Sequence, residues 1–245
     1  MAQTFVPEFV DRGASMPFQD ASAEAVNALF RKVYQWMAAG LALTAVTAYT
    51  VASSSALLRF FYGSPAALLV VAVAEIGLVL WLGMGINKIS AGTAGILFSV
   101  YSVLNGILCS SVLLIYTRGS VYQAFLSTAG MFALMSIYGL YTQRDLTGFG
   151  SFLRMGLFGL IIAMVVNLFV GSSMMEFGIS VLGILVFLGL TAWDTWKIRQ
   201  MAYEMGYDGE GQMTGKAAVI GALSLYLDFI NIFLYMLRFF GKQRQ

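Results

Sequence analysis

Residues 152–196, FLRMGLFGLIIAMVVNLFVGSSMMEFGISVLGILVFLGLTAWDTW, contain two long apolar runs separated by three small residues, Gly171-Ser172-Ser173. Each run, Phe152–Gly171 and Met175–Trp196, has the length of about 20 residues that a helix needs to cross a bilayer. The apolar residues are continuous rather than alternating, which argues against the strands of a porin-like barrel. The stretch therefore predicts two transmembrane helices joined by a tight hairpin.

Runs of the same kind continue on both sides of this hairpin. The longest connection between runs, Lys197–Lys216, is rich in glycine and too short for a separate soluble domain. The sequence therefore predicts an all-α membrane protein with seven transmembrane helices. The five other predicted spans are Tyr34–Ser53, Ala66–Gly85, Thr93–Tyr116, Val121–Tyr141 and Ala217–Phe240.

The composition supports lipid as the surrounding medium and excludes several kinds of chemistry. Hydrophobic residues make up 59% of the chain and charged residues only 11%, whereas soluble domains carry about 25% charged residues. Histidine is absent, which removes Ser–His and Cys–His nucleophiles and most catalytic zinc sites. Cys109 is the single cysteine and is predicted to be a packing residue. No cofactor is expected, and a net charge of +2 does not indicate nucleic acid as a partner.

The distribution of charge predicts three segments and an orientation. Residues 1–33 are expected to form a polar cytoplasmic tail with a short amphipathic helix capped by Ser22, residues 34–240 the membrane domain, and residues 241–245 a basic tail. Lysine and arginine favour the cytoplasmic side of membrane proteins. An N-terminus inside leaves two basic residues in the outer loops, Arg59 and Arg118. It places nine on the inner side: Arg12, Arg31, Lys32, Lys88, Arg144, Arg154, Lys197, Arg199 and Lys216. The side of the C-terminal tail stays open, because a re-entrant seventh segment would return it to the inside.

Three of the acids in the apolar spans are singled out as candidates: Glu75, Asp194 and Asp228. A charged acid near the bilayer centre costs about 3 kcal/mol on insertion scales, so such residues are functional candidates. Asp194 lies 17 residues before position 211, in the middle of the glycine-rich turn, and Asp228 lies 17 residues after it. A symmetric turn would therefore bring the two carboxyl groups level.

Two carboxyl groups held together in a low dielectric cannot both ionise easily and share a proton over an extended pH range. Loss of that proton would leave two repelling charges that separate or attract a cation. Calcium prefers such oxygen ligands, so Asp194 and Asp228 are also predicted to bind it transiently. Asn231 is three residues after Asp228 and could add an amide oxygen. Glu75, Asn231 and Asn105 are the candidates for pore-lining or ion-binding residues, although Asn105 is more simply explained by a hydrogen bond between helices.

Two sequence runs carry a resemblance to a known family. The run GLTAWDTWKI (189–198) resembles the sixth-helix signature of the Bax inhibitor-1 family, also called the transmembrane Bax-inhibitor-motif family. The run ALSLYLDFINIFL (222–234) resembles its seventh-helix signature. The region from Glu75 to Lys88 is more weakly similar to the second helix of bacterial members. The resemblance extends from about Tyr34 to Phe240.

The resemblance implies seven helices with the last one central and surrounded by the other six. It also implies a pH-sensitive calcium leak gated by paired aspartates, whose positions match Asp194 and Asp228. Some members use a membrane arginine near this pair, whereas the second span here carries Glu75 and no arginine. Other bacterial relatives are associated with a membrane-bound AAA protease, as modulators or substrates.

The sequence is compatible with three functions. The first is the calcium leak, with the lipid bilayer, calcium ions and protons as partners. The second is a regulatory membrane protein that binds or modulates a membrane-bound AAA protease or a stress pathway. The third, intramembrane proteolysis, is disfavoured because aspartyl proteases of this kind carry Gly-x-Gly-Asp, whereas Leu225-Tyr-Leu precedes Asp228. The chain is expected not to be an enzyme. Compact loops and short tails favour the inner membrane of a bacterium, with the N-terminus cytoplasmic.

Overall fold

A computed structural model of the chain describes residues 18–205 and 212–244. These residues form eight α-helices and one short 3₁₀ turn, Ile86–Lys88. The helices are α1 (Phe18–Ser53), α2 (Ser55–Tyr62), α3 (Pro65–Gly85), α4 (Ala91–Ile115), α5 (Arg118–Tyr141), α6 (Thr147–Val170), α7 (Ser173–Met205) and α8 (Gln212–Phe240).

Seven of these helices are long and apolar enough to cross a membrane, which confirms the predicted fold class. The eighth, α2, has only eight residues and connects α1 to α3. Small polar residues begin several helices: Ser90 accepts a hydrogen bond from the Thr93 N–H, and Thr117 accepts one from the Ser120 N–H. The predicted hairpin between α6 and α7 is present, and Gly171 closes α6 with a φ of 66°, a conformation that favours glycine.

The last helix lies at the centre of the bundle. Of the seven spans, α8 has the largest share of buried residues, 61% in its most apolar window, against 11% for α3 and for α6. It packs mainly against α1, α4, α5 and α7, whereas α3 packs against α4 and α6 against α7. Tyr226 of α8 is the largest fully buried side chain, and its ring meets Phe98 and Tyr101 of α4 edge-on. The helix in the middle is therefore also the one that carries Asp228.

Helix α1 passes through residue 33, the predicted boundary between the polar segment and the membrane domain. It runs continuously from Phe18 to Ser53, so the prediction that Ser22 caps its start is wrong. The amphipathic part is buried rather than free: Leu29 and Val33 are 1% and 0% exposed and belong to the main core cluster. This burial against the bundle explains why the helix continues. The polar tail before residue 18 lies outside the described residues.

The predicted connection Lys197–Lys216 is also largely helical. Helix α7 continues to Met205 and α8 already begins at Gln212. The reason is an apolar pair one turn apart, Ile198 and Ala202, each 1% exposed and packed in the same core cluster as Val219 of α8. The centre of the glycine-rich turn, 206–211, lies outside the described residues.

Helix α8 is not re-entrant. Its 29 residues span about 43 Å, and the chain after it is fixed beside the connection between α4 and α5. There the Thr117 N–H donates to the Lys242 carbonyl at 3.0 Å, and the Arg244 N–H donates to the Ile115 carbonyl at 2.8 Å. The basic C-terminal tail therefore lies at the C-terminal ends of α4 and α8, on the side of the bundle opposite the start of α1.

Candidate functional site

The structure brings the two membrane aspartates together. Asp194 lies on α7 and Asp228 on α8, two helices that pack along each other, and the two carboxyl groups are within hydrogen-bonding reach. Asp228 is only 3% exposed, whereas Asp194 is half-buried. The pair thus consists of one enclosed acid and one at the edge of the bundle.

The environment of Asp228 is incompletely satisfied. The Thr191 hydroxyl, one helical turn before Asp194, is within reach of the Asp228 carboxyl and also donates to the Phe187 carbonyl at 2.8 Å. The Oδ2 atom of Asp228 is buried and has no hydrogen-bond partner among the described residues. A buried carboxyl oxygen without a partner is costly and indicates a proton, a water or a cation at that position.

Two basic side chains face Asp194 from its open side. Lys197 of α7 and Arg154 of α6 both act electrostatically on its carboxyl group. Both also stack on the Trp193 ring, at 5.2 Å and 5.1 Å from its centroid. Gly150 makes this arrangement feasible, because a Cβ at that position would lie 2.2 Å from the indole. The sequence predicted both basic residues on the inner side but did not connect them with Asp194.

A seam of buried polar atoms continues from the pair towards the C-terminal end of α7. Thr191, Thr195 and Arg199 follow one another at four-residue spacing, so they share one side of the helix about 6 Å apart along its axis. The Thr195 hydroxyl and Nε of Arg199 are both buried without a hydrogen-bond partner among the described residues. Arg199 does donate through a second nitrogen to the Leu140 carbonyl at 2.5 Å.

Unpartnered buried polar atoms in a row are typical of internal water. The seam therefore offers hydrogen-bonding groups to water between the aspartates and the C-terminal ends of α5 and α7. Sequence reasoning missed it, although the four-residue spacing of Thr191, Thr195 and Arg199 was a visible signal.

Glu75 belongs to a second polar cluster, formed by α3 and α4. The Asn105 side-chain amide donates to Oε1 of Glu75 at 2.5 Å, and the Cys109 thiol donates to Oδ1 of Asn105 at 3.3 Å. The Tyr101 hydroxyl is within hydrogen-bonding reach of the same carboxyl group. Asn105 thus links two helices, and Cys109 has a polar contact in addition to its packing.

A cavity of about 370 Å³ leads away from this cluster. Glu75, Asn105 and Cys109 line one end, and Tyr116 and Arg238 line the other. Tyr116 directly follows α4 and Arg238 lies in the last turn of α8, so the cavity runs towards the side of the bundle that holds the C-terminal tail. Glu75 and Asn105 therefore lie together, but apart from the aspartate pair.

Asn231 is not joined to either site. Its side-chain amide donates to the Leu227 carbonyl of its own helix at 2.8 Å. Among residues 18–205 and 212–244, no group of three or more acidic, cysteine or histidine side chains converges on a point. The two aspartates offer at most four oxygens, fewer than the six to eight that calcium takes, so water would have to supply the rest of any bound ion's shell.

The link between Glu75 and Asn105 gives a stability prediction. Asn105→Ala leaves the half-buried Glu75 carboxyl without its amide donor, and we expect a loss of about 1–3 kcal/mol. The measurement is thermal unfolding in detergent micelles. Ser99→Ala on the same helix is the control, because its hydroxyl bonds only to the Gly95 carbonyl one turn earlier. Equal unfolding temperatures of the two variants would contradict the role of Asn105.

Comparison with known proteins gives one consistent result. Residues 26–245 match the family model described as inhibitor of apoptosis-promoting Bax1. The inner membrane protein YbhL of Escherichia coli K12 is 41% identical over 213 residues, which cover 87% of this chain and 91% of the relative. A protein of Rickettsia prowazekii, RP147, is 44% identical over 221 residues, 90% and 92% of the two chains. A Borreliella burgdorferi protein is 43% identical over 218 residues, 89% and 93%.

Proposed function

The chain belongs to the Bax inhibitor-1 family of membrane proteins, and from that premise we propose that it is a pH-sensitive calcium leak gated by Asp194 and Asp228. The observation that carries the proposal is the contact between the two carboxyl groups, one of them enclosed in the bundle. A carboxyl pair in an apolar domain has little structural purpose that a hydrophobic pair would not serve better. A change in the charge state of the two carboxyl groups gives the pair a function that a hydrophobic pair could not have.

The proton shared by the pair holds α7 and α8 together. When it leaves, two negative charges face each other at a place where water cannot screen them. The charges separate the helices or attract a cation, and calcium, a hard divalent ion, compensates both at once. Lys197 and Arg154 supply positive charge to Asp194, whereas no basic side chain among the described residues is placed in the same way against Asp228. Opening therefore depends mainly on the charge of Asp228.

Each side of the membrane has its own route to the central helix. The seam of Thr191, Thr195 and Arg199 carries protons between the pair and the inner side. On the outer side, Glu75 and Asn105 lie at the base of the cavity that ends at Arg238 and provide oxygen ligands for an incoming cation. The protein acts without catalytic residues and is not an enzyme on this proposal.

The proposal includes a location and an orientation. The name of the YbhL relative places that protein in an inner membrane, and we extend this location to the present chain. Lysine and arginine favour an N-terminus inside. Because α8 crosses fully, Arg238, Lys242 and Arg244 then join Arg59 and Arg118 on the outer side. The outer side then holds five basic residues and the inner side nine, so the excess of lysine and arginine remains on the inner side.

Calcium flux into proteoliposomes tests the function directly. Purified full-length protein is reconstituted with a trapped calcium indicator, and the initial rate is measured between pH 5 and 8. We expect a leak above that of empty liposomes that increases with pH, since loss of the shared proton opens the pair. No leak from protein shown to be folded would reject the channel and favour the regulatory function, with the aspartates in a structural role.

The inner seam gives a kinetic prediction. Thr195→Val keeps the shape of the side chain but removes one polar atom from the proposed water chain. We expect the flux to respond about tenfold more slowly to a rapid pH change on the inner side. A tenfold change corresponds to about 1.4 kcal/mol, which is the size of one lost hydrogen bond. Stopped-flow fluorescence provides the measurement. Thr50→Val is the matched control, because the Thr50 hydroxyl is exposed on α1 and bonds only to the Val46 carbonyl. A response as fast as that of the control would exclude the seam as the route.

A further inference from the structure

A deep cleft interrupts the lipid-facing surface in the outer half of the bundle. Its walls are α1 and α4 on one side and α5 on the other, and α8 forms its floor. Helices α1 and α5 do not pack extensively against each other, which leaves the cleft between them. The space measures about 340 Å³.

The lining of the cleft is almost entirely apolar. Leu41, Val121, Phe125, Phe229 and Phe233 are representative. The two polar groups deep in the cleft are already engaged, since the Thr44 hydroxyl bonds to the Tyr226 hydroxyl and the Cys109 thiol bonds to Asn105. A space of this kind does not hold water well. In a bilayer it is filled by hydrocarbon.

The one charged residue of the lining, Arg118, lies at the outer end. It is the first residue of α5 and is exposed. No described residue forms a hydrogen bond or an ion pair with its guanidinium group. Arg59, the other basic residue of the predicted outer loops, differs in that its Nε donates to the Ser55 carbonyl at 3.3 Å and it does not line the cleft.

We propose that the cleft is a binding site for an anionic phospholipid. One acyl chain occupies the apolar space, and Arg118 holds the phosphate at the head-group level with the two parallel hydrogen bonds that a guanidinium offers. The lining contains no aspartate or glutamate that could pair with the ammonium group of a zwitterionic lipid. This absence favours a head group with net negative charge, such as phosphatidylglycerol. The proposed lipid site is independent of the proposed calcium leak, because none of its residues belongs to the aspartate pair.

Native mass spectrometry of the full-length protein tests the proposal. The protein is released from micelles that contain phosphatidylglycerol or phosphatidylethanolamine with identical acyl chains, and retained lipid is counted. We expect one tightly retained phosphatidylglycerol per chain and about tenfold weaker retention in Arg118→Gln, which loses the charge-assisted hydrogen bonds. Arg59→Gln should retain lipid as the unmodified protein does.

A second pair of variants tests the apolar part. Ala45 is exposed on α1 and lines the cleft, so Ala45→Phe fills the space of the acyl chain. Ala74→Phe adds the same ring on the exposed surface of α3, which lies outside the cleft. We expect lipid loss only from Ala45→Phe. Equal retention of the two lipids, or unchanged retention in Arg118→Gln, would overturn the proposal. A dimer that Ala45→Phe dissociates would assign the cleft to a second copy of the chain instead.

Discussion

Asp228→Asn is expected to abolish the pH dependence of calcium flux. The asparagine side chain is neutral at every pH and imitates the protonated acid, so the repulsion that opens the pair cannot develop. For the unmodified protein we expect the initial flux to increase by about tenfold between pH 6 and pH 8, as one shared proton is lost. For Asp228→Asn we expect a low rate that does not change over this range, measured in the proteoliposome assay.

Asp194→Asn is expected to have a smaller and different effect. Asp194 is half-buried and faces Lys197 and Arg154, whereas Asp228 is enclosed and has an unpartnered oxygen. Removal of the Asp194 charge leaves the two basic groups stacked on Trp193. We expect the flux to retain part of its pH dependence, because Asp228 still titrates in a buried position.

Asp145→Asn is the control for both variants. Asp145 lies in the connection between α5 and α6, where its carboxylate accepts hydrogen bonds from the N–H and the hydroxyl of Thr147. These bonds lower the pKa of Asp145, so its charge does not change between pH 6 and 8. The control should match the unmodified protein. An Asp228→Asn protein that is folded and keeps the full pH response would remove the pair from the gate.

Among the glycine-to-alanine changes in α5, Gly139→Ala is expected to destabilise the fold most. A Cβ at this position would lie 2.3 Å from the carbonyl oxygen of Ala192 on α7. The obstacle is backbone, which cannot rotate away, so the two helices must move apart. Overpacking of this kind costs about 1–3 kcal/mol, and we expect a value near the upper end. In a chain of this size that lowers the unfolding temperature by about 5–10 °C.

Gly130→Ala is the matched control on the same helix. Nothing lies within 4 Å of a Cβ at Gly130, so the added methyl group meets open space. Alanine is favoured over glycine within a helix by about 1 kcal/mol, and the variant should unfold at the same or a slightly higher temperature. Differential scanning fluorimetry in micelles distinguishes the two variants. If both unfold together, α5 and α7 are not in backbone contact at Gly139. Because the seam residues Thr195 and Arg199 face this contact, Gly139→Ala should also disturb the inner route.

The aspartate pair shows how far spacing along the chain can predict a site. The distances of Asp194 and Asp228 from position 211 predicted level carboxyl groups, and the structure places the two groups in contact. The carboxyl groups come together although the helical residues within the predicted connection Lys197–Lys216 are divided unevenly, nine in α7 and five in α8. Asn231 shows the limit, because three residues along one helix did not bring its amide to the pair.

The sequence by itself determined the number of membrane helices, the hairpin at Gly171 and the pairing of the acids. These properties follow from segment length, hydropathy and short connections, since a backbone in lipid has to satisfy its own hydrogen bonds locally. Only the tertiary structure decided which residues meet: Leu29 and Val33 in the core, Asn105 on Glu75, Gly139 against Ala192, and the cleft that ends at Arg118. Apolar helices present hydrophobic residues on every side, so periodicity does not mark the buried face. The rotation of each helix about its axis is set by close packing between residues far apart in the chain.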